Sequence, residues 1–229
     1  MLKKIIKQNS SLHSNFIKSR EVLRIIYNTK TRSRFLWNLK KGDTNLTLNY
    51  PLSQNSIVVD VGAYKGEFIE KLNKKHKPII HALEPIEEYS NYLKKKFLKQ
   101  TNIKVHNFGL LDKTIELKIS NLGAGSSIYN RKEGSTEQTI SLKSMIQFVE
   151  EEQIKEIQLL YLNIEGSEYQ LLSHIIETGL IVNIKHLQVQ FHNYIDNAKH
   201  ERKRIRKELK KTHYCVFNFP FIWERWDRL

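Results

Sequence analysis

From Ser56 onward, short apolar runs of strand type alternate with longer runs of helical spacing, and this alternation limits the possible folds more than any other feature. Ile57–Val61, Ile79–Leu83 and residues 103–108, 159–164 and 187–191 read as strands. Residues 66–75 read as a helix. Ile86, Tyr89, Leu93 and Phe97 mark the face of a second helix, and Leu171, Leu172, Ile175 and Ile176 that of a third. Strands and helices alternating this way predict an α/β fold, with a mostly parallel sheet covered by helices on both faces. Residues 115–119 and 139–142 alternate like half-exposed strands and flank the loop Gly123-Ala124-Gly125-Ser126-Ser127. A basic helix near 199–212 and a strand-like run at 214–221 complete the pattern.

Upstream, Phe16, Leu23, Ile26 and Tyr27 recur at helical spacing, and Gly42-Asp43 and Tyr50-Pro51 punctuate the chain before the first strand. The sequence thus divides into a basic helical N-terminal extension, residues 1–50, and a main domain, residues 51–229. Charge follows this division. Residues 1–41 carry eleven Lys/Arg and one acid, residues 199–211 carry eight and two, and the rest of the +14 chain is left at −2. Basic elements on a nearly neutral body suit anionic lipid, a nucleotide-linked substrate or nucleic acid, and equally a solvated helical face. No run approaches the length of a membrane span, and Ser10, Ser11, His13 and Ser14 interrupt any signal-like apolar segment. The single Cys215 excludes an internal disulfide, and the expectation is a cytoplasmic protein that can touch the inner membrane face through residues 1–41.

Three segments carry chemistry. The first strand ends in Asp60-Val61-Gly62-Ala63-Tyr64-Lys65-Gly66-Glu67-Phe68. Glycines there allow a sharp turn and close approach to a ligand, and the helix N-terminus that follows favours a carboxylate or phosphate. Ala63-Tyr64 breaks the Gly-x-Gly-x-x-Gly dinucleotide pattern. Glu84 ends the second strand, where an acid can accept both ribose hydroxyls of a nucleoside without choosing between cofactors. In Tyr161-Leu-Asn163-Ile-Glu165-Gly-Ser-Glu168, a buried strand runs into polar residues at the edge where open α/β sheets bind ligands. Glu168 reads either as an acceptor contact or as a first-turn acid of the next helix.

Val59 to Phe68, Leu83-Glu84-Pro85 and Asn163 to Glu168, in this order, resemble the FkbM-type methyltransferases. The loop ending Gly125-Ser-Ser127 and the strand Leu187-Gln-Val-Gln-Phe-His192 are similar too, so that the resemblance covers roughly residues 55–195. It implies a class I methyltransferase (Rossmann-like) fold, S-adenosylmethionine as cofactor, and O-methylation of sugars in glycans or of natural products. It also implies that Asp60 faces the amino group of the methionine moiety. Two positions depart from the family pattern. Asn163 stands where Asp is usual and Gln190 where Glu is frequent, which argues against a divalent metal, and no metal ligand is assigned.

The cofactor-binding set read on this basis is Asp60, Gly62, Ala63, Tyr64, Gly66, Glu67, Phe68, Glu84, Pro85, Asn107, Gly109 and Asn163. Glu168, Ser126, Ser127 and Tyr194 are assigned to the acceptor. His192 and Glu165 are the candidate bases: His192 ends a strand at the ligand edge, and an imidazole titrating near neutrality suits proton removal. Trp223 and Trp226 read as packing of the C-terminal tail or as a platform for a sugar ring. The leading function is O-methylation of a hydroxyl of a sugar or glycoconjugate, of the surface-polysaccharide type. The alternatives are an RNA or protein methyltransferase and a non-catalytic module that kept the cofactor fold. Nucleic acid is disfavoured because no aromatic-rich basic stripe is present.

Overall fold

The structure, a computed structural model, describes Arg24 and residues 27–120 and 137–229. The chain runs through α1 (Thr29–Leu39), α2 (Gly42–Asn45), β1 (Ile57–Val61), α3 (Glu67–His76), β2 (Ile79–Leu83), α4 (Glu87–Lys96), β3 (Ile103–His106), β4 (Gly109–Leu111) and β5 (Ile115–Ser120). It continues with β6 (Glu137–Ser144), α5 (Met145–Glu151), β7 (Ile157–Leu162), α6 (Glu168–Glu177), β8 (Ile184–Val189), α7 (Ala198–Leu209), β9 (His213–Phe219) and β10 (Trp223–Arg228). Seven strands form one sheet in the order β3-β2-β1-β7-β8-β10-β9. Pairing is parallel from β3 to β8, and β10 runs antiparallel to both of its neighbours. This is the class I methyltransferase arrangement that the sequence predicts, with β1 and β7 meeting where the strand order reverses. A second sheet, β4-β6-β5, stands beside it.

Strands buried on both faces read as unbroken apolar runs. Val59, Val61, Leu160, Leu162, Leu187 and Val189 point to one face, where they meet Phe148 of α5, Leu171 and Leu172 of α6, and Ile205 and Leu209 of α7. Val58, Ile80, Ala82 and Leu159 point to the other, against Ile69 and Leu72 of α3, Leu93 of α4, and Tyr50.

Four elements escape the sequence reading: α2, β4, α5 and β10. β10 is Trp-Glu-Arg-Trp-Asp-Arg, which looks like a polar tail, yet Glu224 is 1% exposed. Arg202 and Arg206 of α7 pair with its carboxylate, and the Trp226 indole N–H donates to it at 3.1 Å. Burying an acid is tolerable only with such partners, and they come from another element. Trp226 is fully buried and Trp223 nearly so, which makes them packing residues and excludes a sugar platform.

The boundary at residue 50 divides what the fold joins. Trp37 of α1 is fully buried among Tyr161, Phe219, Ile222 and Trp223, and its indole N–H donates to Asp43 at 3.0 Å. Tyr50 is 4% exposed, and its hydroxyl donates to Gln188 of β8. Removing a buried Trp costs about 3–5 kcal/mol, so α1 belongs to the folded body. A truncation meant to isolate a basic arm has to end before Asn28. No described helix is long and apolar enough to cross a membrane.

Candidate functional site

β1 ends at the switch point, and the turn after it holds Gly62 at φ +86° and Gly66 at φ +71°. Both need to be glycine for space as well as for backbone: a Cβ on Gly62 would lie 2.3 Å from the Asn163 carbonyl oxygen, and one on Gly66 would meet Leu93 and Phe97 at 2.8 Å. The N–H groups of Gly62 and Ala63 both donate to the Leu83 carbonyl, at 3.0 and 3.1 Å, which ties the turn to the end of β2. Gly66 caps α3 with no side-chain bond, leaving first-turn N–H groups facing the cleft beside Glu67 and Phe68. Phe68 stacks on Tyr161 with ring centroids 3.8 Å apart.

Glu84 follows β2 and is 4% exposed. Its Oε2 accepts the Tyr64 N–H at 2.8 Å and its Oε1 the Ile86 N–H at 3.0 Å. Burial raises its carboxyl above the ordinary range, against the pull of these two bonds. Each oxygen keeps a lone pair for a further donor, the arrangement a ribose diol requires. Asn107 departs from its assignment. It is exposed and is not among the described residues that line the cleft below, and its side-chain amide donates to the Glu84 and Pro85 carbonyls at 3.1 and 3.2 Å. It therefore braces the turn that carries Glu84. Pro85 and Gly109 do line the cleft.

The cleft has two lobes. One is walled by Glu84, Pro85, Ile86, Tyr89, Leu142 and Glu165. The other is walled by Asp43, Thr47, Asp60, Gly66, Phe68 and Tyr161. Gly62, Tyr64 and Asn163 line both, so the lobes meet over the β1–β7 switch point. Asp60 Oδ1 and Asn163 Oδ1 are buried acceptors with no partner among the described residues. Burial, and then the charge of Glu84, pushes the Asp60 carboxyl up to about 8. A cationic ligand group satisfies both orphaned oxygens and removes that penalty. A nucleoside in one lobe and an amino-acid ammonium in the other therefore fit the residues present, with Glu84 and Asp60 as their respective anchors.

A pH dependence follows. Without ligand, Asp60 keeps its proton up to about pH 8, while an ammonium partner needs the carboxylate, so binding below that pH releases a proton. Affinity for S-adenosylhomocysteine should rise by up to about tenfold per unit from roughly pH 6 to 8, then level off. Calorimetry in buffers of different ionisation enthalpy reads the released proton directly. Asp60→Asn should flatten the profile, and an affinity constant over this range in the unaltered protein would remove Asp60 from the role.

At the end of β7, Glu165 has φ +50° and Gly166 φ +103°. A non-glycine residue held there stores strain, a trait of functional turns. Glu165 lines the nucleoside lobe, receives the Tyr194 hydroxyl at 2.7 Å, and lies 3.5 Å from His192 Nε2. Burial pushes its carboxyl up, but the hydrogen bond and charge of His192 and the Tyr194 hydroxyl hold it below the ordinary range.

Two assignments change here. Glu168 is fully buried: Oε2 accepts the Gly166 N–H at 2.8 Å, and Oε1 accepts the His192 N–H at 2.7 Å and lies 3.2 Å from its Nδ1. It cannot reach an acceptor and instead locks the β7 turn to residue 192. His192 is 4% exposed and lines neither lobe. Burial lowers its pKa, but hydrogen bonds to Glu165 and Glu168 outweigh that and raise it to about 9. A histidine flanked by two carboxylates is an imidazolium at neutral pH, contrary to the near-neutral base expected from sequence. Ser126 and Ser127 lie outside the described residues. Asp43 and Thr47, missed in the sequence, come to the cleft because α1 docks on β9, a long-range packing event with no local signal.

A family profile described as "Methyltransferase FkbM domain" matches residues 60–219. Among solved structures, the chain is similar to the FkbM methyltransferase from Methylobacillus flagellatus KT, with a TM-score of 0.51 and 12% identity over 95% of this chain; it spans 59% of that protein's length. It is also similar to a candidate methyltransferase from Streptococcus mutans in complex with SAH, with a TM-score of 0.52 and 13% identity, covering 83% of this chain and 97% of that one. No curated sequence matches the chain.

Proposed function

This chain belongs to the FkbM methyltransferase family, S-adenosylmethionine-dependent enzymes of the class I fold, and from that premise we propose that it methylates a hydroxyl of a sugar or glycoconjugate of the surface-polysaccharide type. The observation that carries the reading is the pairing of Glu165 with Tyr194 on the wall of the nucleoside lobe, where Glu84 is taken by the cofactor ribose. A carboxylate there suits a neutral polyol that donates hydrogen bonds better than it suits a polyphosphate backbone. Tyr194, 41% exposed beside Glu165, adds the aromatic surface a sugar ring packs on.

When bound, the cofactor supplies an electrophilic methyl group on a sulfonium. Asp60 and Asn163 hold its amino-acid part, Glu84 its ribose, and Gly62 and Gly66 let the backbone approach it. The acceptor hydroxyl must be placed in line and lose its proton as it attacks. Glu165 accepts that hydroxyl's hydrogen bond and then its proton. His192 acts from behind the wall, with Glu168 fixing it, and keeps Glu165 ionised and oriented. The basic N-terminal segment, residues 1–41, is assigned to anionic membrane at the inner face. The support is the exposed Arg32, Arg34, Lys40 and Lys41 interleaved with exposed Phe35 and Leu39.

Transfer of labelled methyl groups to a panel of oligosaccharides and to ribosomal RNA tests the acceptor class. Alkali-stable label on sugar hydroxyls is the expected outcome. Label on RNA, with none on any glycan, would overturn the reading.

A further inference from the structure

A second group of polar side chains lies away from the cleft, under the edge of the large sheet. His81 of β2 and His106 of β3 point to the same sheet face, 6% and 7% exposed, with Phe148 against both rings at 5.7 Å. His81 Nδ1 lies 3.0 Å from His106 Nε2 and 3.7 Å from Glu152 Oε2, just beyond the end of α5. One ligand atom from each of the three residues lies within 4.8 Å of the others. None of the three lines either lobe of the cleft.

We propose that His81, His106 and Glu152 form a zinc site. Two imidazoles and one carboxylate are a common donor set for Zn²⁺, and tetrahedral bonds of about 2.0–2.1 Å place ligand atoms about 3.3 Å apart. The His81–His106 and His81–Glu152 separations of 3.0 and 3.7 Å bracket that value, while His106 and Glu152 stand farther apart, with His106 Nδ1 4.0 Å from Glu152 Oε1, and the metal would have to draw them together. Lys104 now occupies part of the place of a cation, its Nζ 2.5 Å from Glu152 Oε2, but its side chain is 59% exposed and can swing into water. The fourth position is thus reachable from solvent past Lys104. The site also bears on the cofactor pocket at one remove, because the His106 carbonyl accepts the Glu84 N–H at 3.0 Å. A metal here braces the β2–β3 edge that carries Glu84.

Chelator-treated full-length protein titrated with Zn²⁺, and separately with Co²⁺, tests the assignment. The expected result is one Zn²⁺ per chain, a higher Tm, and intense visible bands from tetrahedral Co²⁺. His106→Gln should weaken Zn²⁺ binding by more than the roughly 10–100-fold caused by changes outside a ligand shell, and Lys104→Ala should tighten it. Glu152→Gln, at a partly exposed position, serves as the ligand variant if His106→Gln fails to fold. Absence of stoichiometric Zn²⁺ binding, or binding and Co²⁺ spectra unchanged in a folded ligand variant, would overturn the proposal and leave a hydrogen-bonded His–His–Glu cluster.

Discussion

Glu165→Gln is expected to lower kcat by roughly 10²–10⁴-fold, the usual contribution of a positioned general base, with S-adenosylhomocysteine affinity nearly unchanged. Gln keeps the shape and can still accept the Tyr194 hydroxyl, which lies 2.7 Å from the carboxylate, but it cannot take a proton. The same substitution should lower the pKa of His192, because one of the two carboxylates that raise it is gone. At saturating cofactor, the kcat of the unaltered enzyme should be flat between about pH 7 and 9, since Glu165 is ionised throughout. His192→Gln should cause a smaller loss, as expected of a residue that acts through Glu165. A kcat that climbs toward an apparent pKa near 9 and collapses in His192→Gln, while Glu165→Gln remains active, would assign the base to the imidazole.

Gly62→Ala carries the largest structural effect. The added methyl points at the Asn163 carbonyl oxygen, 2.3 Å away, at φ +86°. The clash is with backbone, so no rotamer relieves it, and the carboxyl ends of β1 and β7 must separate. Left-handed strain of about 1–2 kcal/mol adds to the clash, for a total of roughly 3–4 kcal/mol and a Tm lower by roughly 6–15 °C. Cofactor binding should fall below detection, because Gly62 and Asn163 are shared by both lobes. Gly179→Ala is the control. Its φ is +75°, but nothing lies within 4 Å of the added Cβ, so it should cost only the strain and leave binding intact. Equal effects of the two substitutions would mean that φ alone, and not the β1–β7 contact, decides the phenotype.

The walls of the candidate cofactor cleft were legible because they depend on local chain order. β1 and β2 have the bounds read from sequence, and Asp60, Gly62, Gly66 and Glu84 line the cleft within a few residues of those strand ends. The arrangement proposed for catalysis depends on long-range contacts. His192 and Glu165 were singled out for their strand ends, but the order of their roles depends on Glu168, buried 24 residues from His192 in sequence. A carboxylate in the first turn of a helix gives no hint that it faces inward. β10 and α1 were obscured for a related reason: each buries a residue, Glu224 or Trp37, against partners on distant segments. Periodicity reports what an element does with its own residues and is silent on such pairings.

Calorimetric titration at pH 8 with S-adenosylhomocysteine and with NAD tests the central claim most directly. Both ligands offer a ribose diol to Glu84, but one alone carries an amino-acid ammonium for Asp60 and Asn163. The account predicts micromolar S-adenosylhomocysteine binding, weakened by about 1.5–3 kcal/mol in Glu84→Ala through loss of charge-assisted hydrogen bonds, and no comparable binding of NAD. Tighter binding of NAD than of S-adenosylhomocysteine, or S-adenosylhomocysteine binding indifferent to Glu84, would contradict it.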